Sequence, residues 1–263
     1  MPSIDLQPDR PHSARIYDYL LGGKDNFEAD RAAAREMLKH TPNLAISMRA
    51  NRRFMGKVGV YLAANGIRQF LDVGTGLPTH PNLHESVQGV APDASVVYVD
   101  NDPLVLTHAR ALLTPVGTGR VAYLDADLRR PDDILRSPDV TAFDLSQPVA
   151  LTLIAVLQHI TDDEQVLDII ARLTRPLASG SAIAISSVTV ENDPDGGPGT
   201  VRTYNQNGVP VVARNRAGVE ALFAGFELVE PGVVPVHHWR PGEEDKQVSD
   251  RDVYMYGAVA IKP

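Results

Sequence analysis

The sequence predicts an α/β fold: a seven-stranded, mostly parallel sheet with one antiparallel strand, preceded by a helical extension. Three observations carry this. From Arg68 onward, short apolar runs alternate with stretches of helical periodicity. Strands separated by helices need crossover connections, and crossovers make neighbouring strands parallel. Finally, the passage from Val229 to Val253 has no helical pattern and carries Pro231, Pro235 and Pro241, which suits a hairpin-like return to an antiparallel last strand.

Residues 1–12 contain three prolines and read as an extended arm. From Ser13 to Gly66 the pattern is helical. Thr41 and Pro42 read as an N-cap and first helical position, Leu44, Met48, Met55, Val58 and Leu62 recur at helical spacing, and Gly66 supplies a stop. This sets residues 1–66 apart as an extension to a main domain of residues 67–263. The strands expected in that domain are Phe70 to Val73, Val96 to Asp100, Val121 to Asp125, Val149 to Leu153, Ala182 to Val190, Gly225 to Val229 and Val253 to Ile261. Asp102 and Pro103 open a helix that runs to about Leu113. Thr161 to Glu164 has the form of a capping box. Glu191 to Gly208, rich in Gly, Asn and Pro, reads as a long loop at the edge of the site.

The bulk numbers narrow the function. A net charge of −8 argues against a nucleic-acid or anionic-membrane surface. Without cysteine there is no disulfide and no thiolate metal site. The longest apolar run, Val149 to Leu157, is too short for a membrane span, and Met1 to Asp5 lack the basic and apolar parts of a signal peptide. A cytoplasmic protein that acts on a small molecule is expected.

In open α/β sheets, ligands bind beyond the carboxyl ends of the strands. There the first strand runs into Asp72-Val73-Gly74-Thr75-Gly76, whose glycines let backbone approach a ligand closely, with amides at the following helix start free for an anionic group. The second strand ends in Asp100, placed to take both hydroxyls of a ribose, and is followed by Asn101. The third ends in Asp125-Ala126-Asp127, where a carboxylate meets an adenine amino group. Together they describe a pocket for an adenosine-containing ligand. A dinucleotide fits poorly, because Thr79 stands where its fingerprint wants a third glycine and Asp72 would face a pyrophosphate. Asp72 suits the ammonium of a methionine moiety, which favours S-adenosylmethionine, with S-adenosylhomocysteine as product.

Phe70 to Gly76 resembles motif I of class I methyltransferases, Val99 to Pro103 their second motif, Asp125 to Asp127 the third, and Val156 to Ile160 the segment after strand four. More narrowly, the chain is similar to an S-adenosyl methyltransferase family, known chiefly from actinobacteria and long described as a domain of unknown function. The runs that carry this likeness are Ser13 to Phe27, Asn51-Arg52-Arg53-Phe54, Gly76-Leu77-Pro78-Thr79 and Glu230-Pro231-Gly232. The resemblance implies a Rossmann-like class I methyltransferase fold. The expected cofactor contacts are Asp72, Gly74, Thr75, Gly76, Asp100, Asn101, Asp125, Ala126, Asp127 and Ile154.

Methyl transfer needs alignment above all, and a base only where the acceptor must lose a proton. The expected acceptor atom is an oxygen or nitrogen of a small molecule. The other reading is a non-catalytic sensor or partner protein that binds the cofactor. His159 is the candidate base, or else it packs at the start of the following helix. Tyr17, Tyr19, Lys24 and Asn26 flank Gly22-Gly23 in a segment that reads equally as a lid or as a brace, and Arg202 and Tyr204 are further acceptor-contact candidates. His237-His238-Trp239 reads as no metal site, since adjacent histidines diverge on most backbones and no carboxylate has suitable spacing.

Overall fold

Phe70 and Leu71 turn to opposite faces of one strand, and the same alternation in its neighbours divides the core into two layers. The computed structural model describes residues 6–112 and 114–263. The first five residues of the expected arm, and Leu113 as the expected end of a helix, lie outside the described residues. The chain begins with three helices, α1 (Ser13–Leu21), α2 (Glu28–His40) and α3 (Leu44–Ala64). Strand β1 (Gln69–Val73), α4 (Leu83–Gln88), β2 (Ser95–Asp100), α5 (Pro103–Leu112) and β3 (Val121–Asp125) follow. The short α6 (Pro131–Leu135) and α7 (Pro138–Thr141) lead to β4 (Val149–Ile154), α8 (Asp163–Thr174) and β5 (Ala182–Val188). The rest is α9 (Gly197–Gln206), α10 (Arg216–Ala221), β6 (Glu227–Leu228), β7 (Val234–Pro235) and β8 (Met255–Ile261).

The strand order is β3-β2-β1-β4-β5-β8-β6, parallel from β3 to β5, with β8 antiparallel to β5. The order reverses between β1 and β4, which puts the ligand crevice of an open sheet at their carboxyl ends. Among the described residues eight strands stand where seven are expected: β6 lies within the expected sixth, and β7 is added in the passage after Val229. Both β6 and β7 pair with β8, and residues 229–233, with Pro231 and Gly232, loop out between them. Pro235 is tolerated because it lies on an edge, where a missing N–H leaves no gap in the ladder.

Helix α3 covers β4, β5 and β8 on one face. That face is small where the helix crosses: Ala150, Ala182, Ala184 and Gly257, with Phe54 so close that a Cβ on Gly257 would lie 2.9 Å from its ring. On the other face Leu151, Leu153, Ile183 and Ile185 meet Val166, Ile169, Ile170 and Leu173 of α8 and Val219 of α10.

Three expectations about local structure need correction. Thr41 ends α2 rather than starting α3: its N–H donates to Met37 O at 3.0 Å, and Asn43 precedes the first turn of α3. Pro42, with no N–H to donate, is a stop for α2. The cap of α8 is Asp162, whose Oδ1 accepts from the amides of Glu164 (3.0 Å) and Gln165 (3.3 Å); a charged carboxylate also complements the helix N-terminus. The expected loop from Glu191 to Gly208 contains α9. Its glycines serve close packing, since a Cβ on Gly199 would lie 2.6 Å from the His40 ring and one on Gly196 2.4 Å from His40 O.

Candidate functional site

A cavity of about 350 Å³ lies at the carboxyl ends of the parallel strands, walled on the other side by α1, α3 and α9. Its floor is the β1 turn. The amides of Gly74 and Thr75 both donate to Val99 O, at 2.8 and 3.2 Å, which fastens the turn to β2. Gly74 (φ 77°) and Gly76 (φ 68°) take left-handed backbone, for which glycine is the ready residue. A Cβ on Gly74 would collide with Val156 at 2.3 Å, whereas one on Gly76 would meet no atom nearer than 4.0 Å and would stand in the cavity. No helix opens at this turn: α4 begins only at Leu83, capped by Asn82 and Glu85. The amides that the sequence reading assigned to a helix start therefore belong to a loop.

Two buried carboxylates flank the turn. Thr152 Oγ1 donates to Asp72 Oδ1 at 2.5 Å. Burial raises the Asp72 pKa, opposed by its hydrogen bonds to Thr152 and Thr75 and by the charge of Arg52. Asp100 receives the amides of Gly76 (Oδ2, 2.8 Å) and Asp102 (Oδ1, 2.9 Å), and burial raises its pKa against those bonds. Burial also opposes the charge of Asp102, but His12, 3.0 Å away, and Arg15 hold its carboxyl below the usual range.

A family model described as S-adenosyl methyltransferase matches residues 1–263. The chain belongs to that family. Among solved structures, this methyltransferase is similar to a DUF574 family protein from Streptomyces avermitilis (46% identity, 98% of this chain and 100% of that one covered, TM-score 0.95). It is also similar to a Thermobifida fusca protein provisionally assigned as a methyltransferase (41% identity, 99% and 98% covered, TM-score 0.91). An O-methyltransferase family protein from Burkholderia thailandensis shares the fold at 14% identity (84% and 58% covered, TM-score 0.53). No curated protein matches the chain.

In the methyltransferase, the wall of the cavity brings together Asp72, Gly74, Thr75, Gly76, Asp100, Asn101, Ala126, Asp127 and Ile154 of the expected cofactor set. Asp125 is not among them; its side chain is exposed at the end of β3, and Asp127, two residues on, takes the place at the wall. Tyr17 and Tyr204 reach the cavity. Tyr19, Lys24, Asn26 and Arg202 do not. Helical periodicity explains two of these. On α9, Gly197, Thr200, Val201 and Tyr204 share the inward face and Arg202 falls on the outward one; on α1, Tyr17 faces inward and Tyr19 does not. Lys24 is exposed. Asn26 is buried structurally: its Nδ2 donates to Asp18 Oδ2 at 2.7 Å and its Oδ1 accepts from Arg31. Gly22, at φ 88°, closes α1 as a C-cap, its N–H donating to Tyr19 O.

His159 lies at the wall on a single 3₁₀ turn, Leu157–His159, after β4. Its Nδ1 donates to Pro210 O at 2.8 Å, which leaves Nε2 as the basic nitrogen. The histidines of the His237-His238 pair do not diverge. Both Nε2 atoms meet Asp250 Oδ1, at 3.0 and 2.6 Å, so a carboxylate partner exists. The sequence reading missed it because Asp250 comes from a separate 3₁₀ turn, Asp250–Asp252. His237 Nδ1 is buried with no partner, whereas a metal-bound imidazole normally donates its second N–H.

Sequence reasoning also passed over Asn51, Arg52 and Gln158 as functional residues. All three are at the cavity wall. Asn51 and Arg52 belong to one of the runs that carry the family likeness, and Gln158 precedes His159, so the signal was present but unspecific.

Burial lowers the His159 pKa below 6.5, against the Pro210 carbonyl that favours the charged form. Below pH 6.5 the unfolded chain then takes up a proton that the folded chain resists, so this residue lowers stability as pH falls from 6.5 towards its folded pKa. His159→Gln is expected to flatten the slope of unfolding free energy in the window just below pH 6.5. Urea titrations across that window check it, and an unchanged slope counts against a neutral, desolvated His159.

Proposed function

We propose that this methyltransferase transfers the methyl group of S-adenosylmethionine to an oxygen or nitrogen of a small molecule, with the cofactor lying across the carboxyl ends of β1, β2 and β3. The observation that carries this reading is the pair of buried carboxylates, Asp72 and Asp100, on either side of a glycine turn at one cavity. When bound, the cofactor supplies a methyl group activated on a sulfonium.

The residues present fit it. Each Asp100 oxygen already takes one backbone amide and keeps a lone pair, so the carboxylate accepts two ribose hydroxyls without losing its own support. Open space above Gly76 leaves the ligand room that a side chain would take. Asp72 attracts the ammonium of the methionine moiety. Arg52, close enough to Asp72 to act on its pKa, offers the charge for that moiety's carboxylate. Ala126 and Asp127 border the adenine. The helices α1–α3 serve as a brace: Tyr17 donates to Met48 O at 3.0 Å, and Arg15 is buried among carboxylates and backbone carbonyls. The net charge of −8 supports a small-molecule acceptor over a nucleic acid, and with the absence of cysteine it supports a cytoplasmic setting.

Asp100→Ala is expected to weaken S-adenosylhomocysteine binding by about 1–3 kcal/mol in calorimetry. Unchanged affinity would remove Asp100 from the ribose, and tight binding of NAD with none of S-adenosylhomocysteine would overturn the whole reading.

A further inference from the structure

Among the described residues, two residues of the cavity wall carry a buried side-chain oxygen without a partner: Gln158 Oε1 and Asn51 Oδ1. Both side chains are more than nine-tenths buried. Hydrogen bonding decides which arm of each amide is free. Gln158 Nε2 donates to Ala155 O at 2.7 Å, and a carbonyl accepts only from the NH₂ arm. Tyr17 gives its one hydroxyl proton to Met48 O, so toward Asn51 it can only accept, and Asn51 Nδ2 donates to it at 3.1 Å. In each case the carbonyl arm remains.

The Gln158 arrangement is held firmly. Ala155 takes a left-handed φ of 54°, rare for a residue with a side chain, and its N–H donates to Ser186 Oγ at 3.0 Å. Val212 N donates to Gln158 O at 2.9 Å. The charged groups of the wall are either assigned to the cofactor, as Asp72, Asp100, Arg52 and Asp127 are, or held by protein partners. Asp18 accepts from Asn26 and from the Asp25 amide, Arg52 donates to Thr79 O and Pro81 O, and Asp127 pairs with Arg129. Met48, Met55, Val201 and Met255 supply the apolar surround.

Resting on the reading of this cavity as the methyl-transfer site, we propose that the acceptor is an uncharged amine on an apolar body, held through its N–H groups by Gln158 Oε1 and Asn51 Oδ1. An amide oxygen accepts a hydrogen bond but takes no proton. The basic group nearby, His159 Nε2, is weakened by burial and ionises a phenol poorly, whereas a neutral amine needs no deprotonation before attack. The nitrogen lone pair forms the N–CH₃ bond as the C–S bond breaks, and the C–S pair stays on sulfur as a thioether. The nitrogen becomes cationic and its surplus proton leaves to water or to His159 Nε2. As that charge grows, the N–H groups become stronger donors, so the two amide oxygens stabilise the transition state more than the bound amine.

Aniline, phenol and toluene have one shape and differ in the group they offer. Titrated by NMR into the protein loaded with S-adenosylhomocysteine, aniline is expected to bind about tenfold more tightly than toluene and more tightly than phenol. In Gln158→Leu the preference over toluene should fall close to unity, with S-adenosylhomocysteine affinity, the check on folding, unchanged. Asn51→Leu should reduce it in part. Equal binding of the three, a preference for phenol, a preference that survives Gln158→Leu, or binding of none overturns the proposal. Failure of the wild-type protein to bind S-adenosylhomocysteine is a different result: it overturns the cofactor reading and this inference with it.

Discussion

Arg15→Met is expected to destabilise the protein by about 3–5 kcal/mol, the cost of leaving a buried carboxylate without its counter-charge. Arg15 is 3% exposed, so solvent screens little of the interaction. Its guanidinium donates to Leu6 O at 2.7 Å and Arg10 O at 2.8 Å, and lies 3.4 Å from Asp30 Oδ2 and 3.9 Å from Asp102 Oδ2. Asp30 is fully buried and also accepts the amides of His12 and Phe27, so it cannot turn outward to water when the arginine is gone. The cluster reaches the cavity wall, because Asp102 gives its amide to Asp100 Oδ1. Urea denaturation should show the loss, and calorimetry a several-fold weaker affinity for S-adenosylhomocysteine. Adding Asp30→Asn to Arg15→Met should recover part of the stability, since the uncompensated charge is then removed. A change below about 1 kcal/mol in Arg15→Met would mean that the arm and α1 are not held by this charge cluster.

The parallel strands were legible because their signal is local. A run such as Val96 to Val99 is buried on both faces and therefore continuously apolar, and Asp100 marks its end. The glycine turn after β1 and the carboxylate at the end of β2 stand out for the same reason, each lying in one short stretch of sequence. What escaped depends on partners distant in sequence. The glycines of α9 read as loop residues until His40 of α2 is seen pressed against them. Thr41 reads as a helix start until α2 is seen to run into it, and its hydroxyl pairs with Thr200, far along the chain. The added strand β7 is defined only by its pairing with β8. The remaining wall of the cavity is legible least of all. Tyr17, Asn51, Gln158 and Tyr204 come from four separate segments, and nothing in the sequence distinguishes Tyr204 from Arg202 before the inward face of α9 is known.

The two glycines of the β1 turn should respond differently to the same substitution. Both have left-handed φ, so alanine at either pays about 1–2 kcal/mol of backbone strain. At Gly74 the new Cβ also meets Val156 at 2.3 Å, adding about 1–3 kcal/mol of overlap in a packed wall. Gly74→Ala should therefore cost about 2–5 kcal/mol of stability and displace the Val156 segment, from which Gln158 follows. Adding Val156→Gly should return the overlap part and leave the strain. At Gly76 nothing lies within 4.0 Å short of Ala14, so Gly76→Ala should cost stability only through φ. Its methyl group stands in the cavity next to the amide that Asp100 accepts, where the ligand is expected, so S-adenosylhomocysteine affinity should fall at least tenfold. Stability from urea unfolding and affinity from calorimetry, measured on both variants, separate the two effects. If Gly76→Ala bound the ligand as well as the wild type, the space above Gly76 would not be where the ligand lies, and the assignment of Asp100 to the ribose would fall with it.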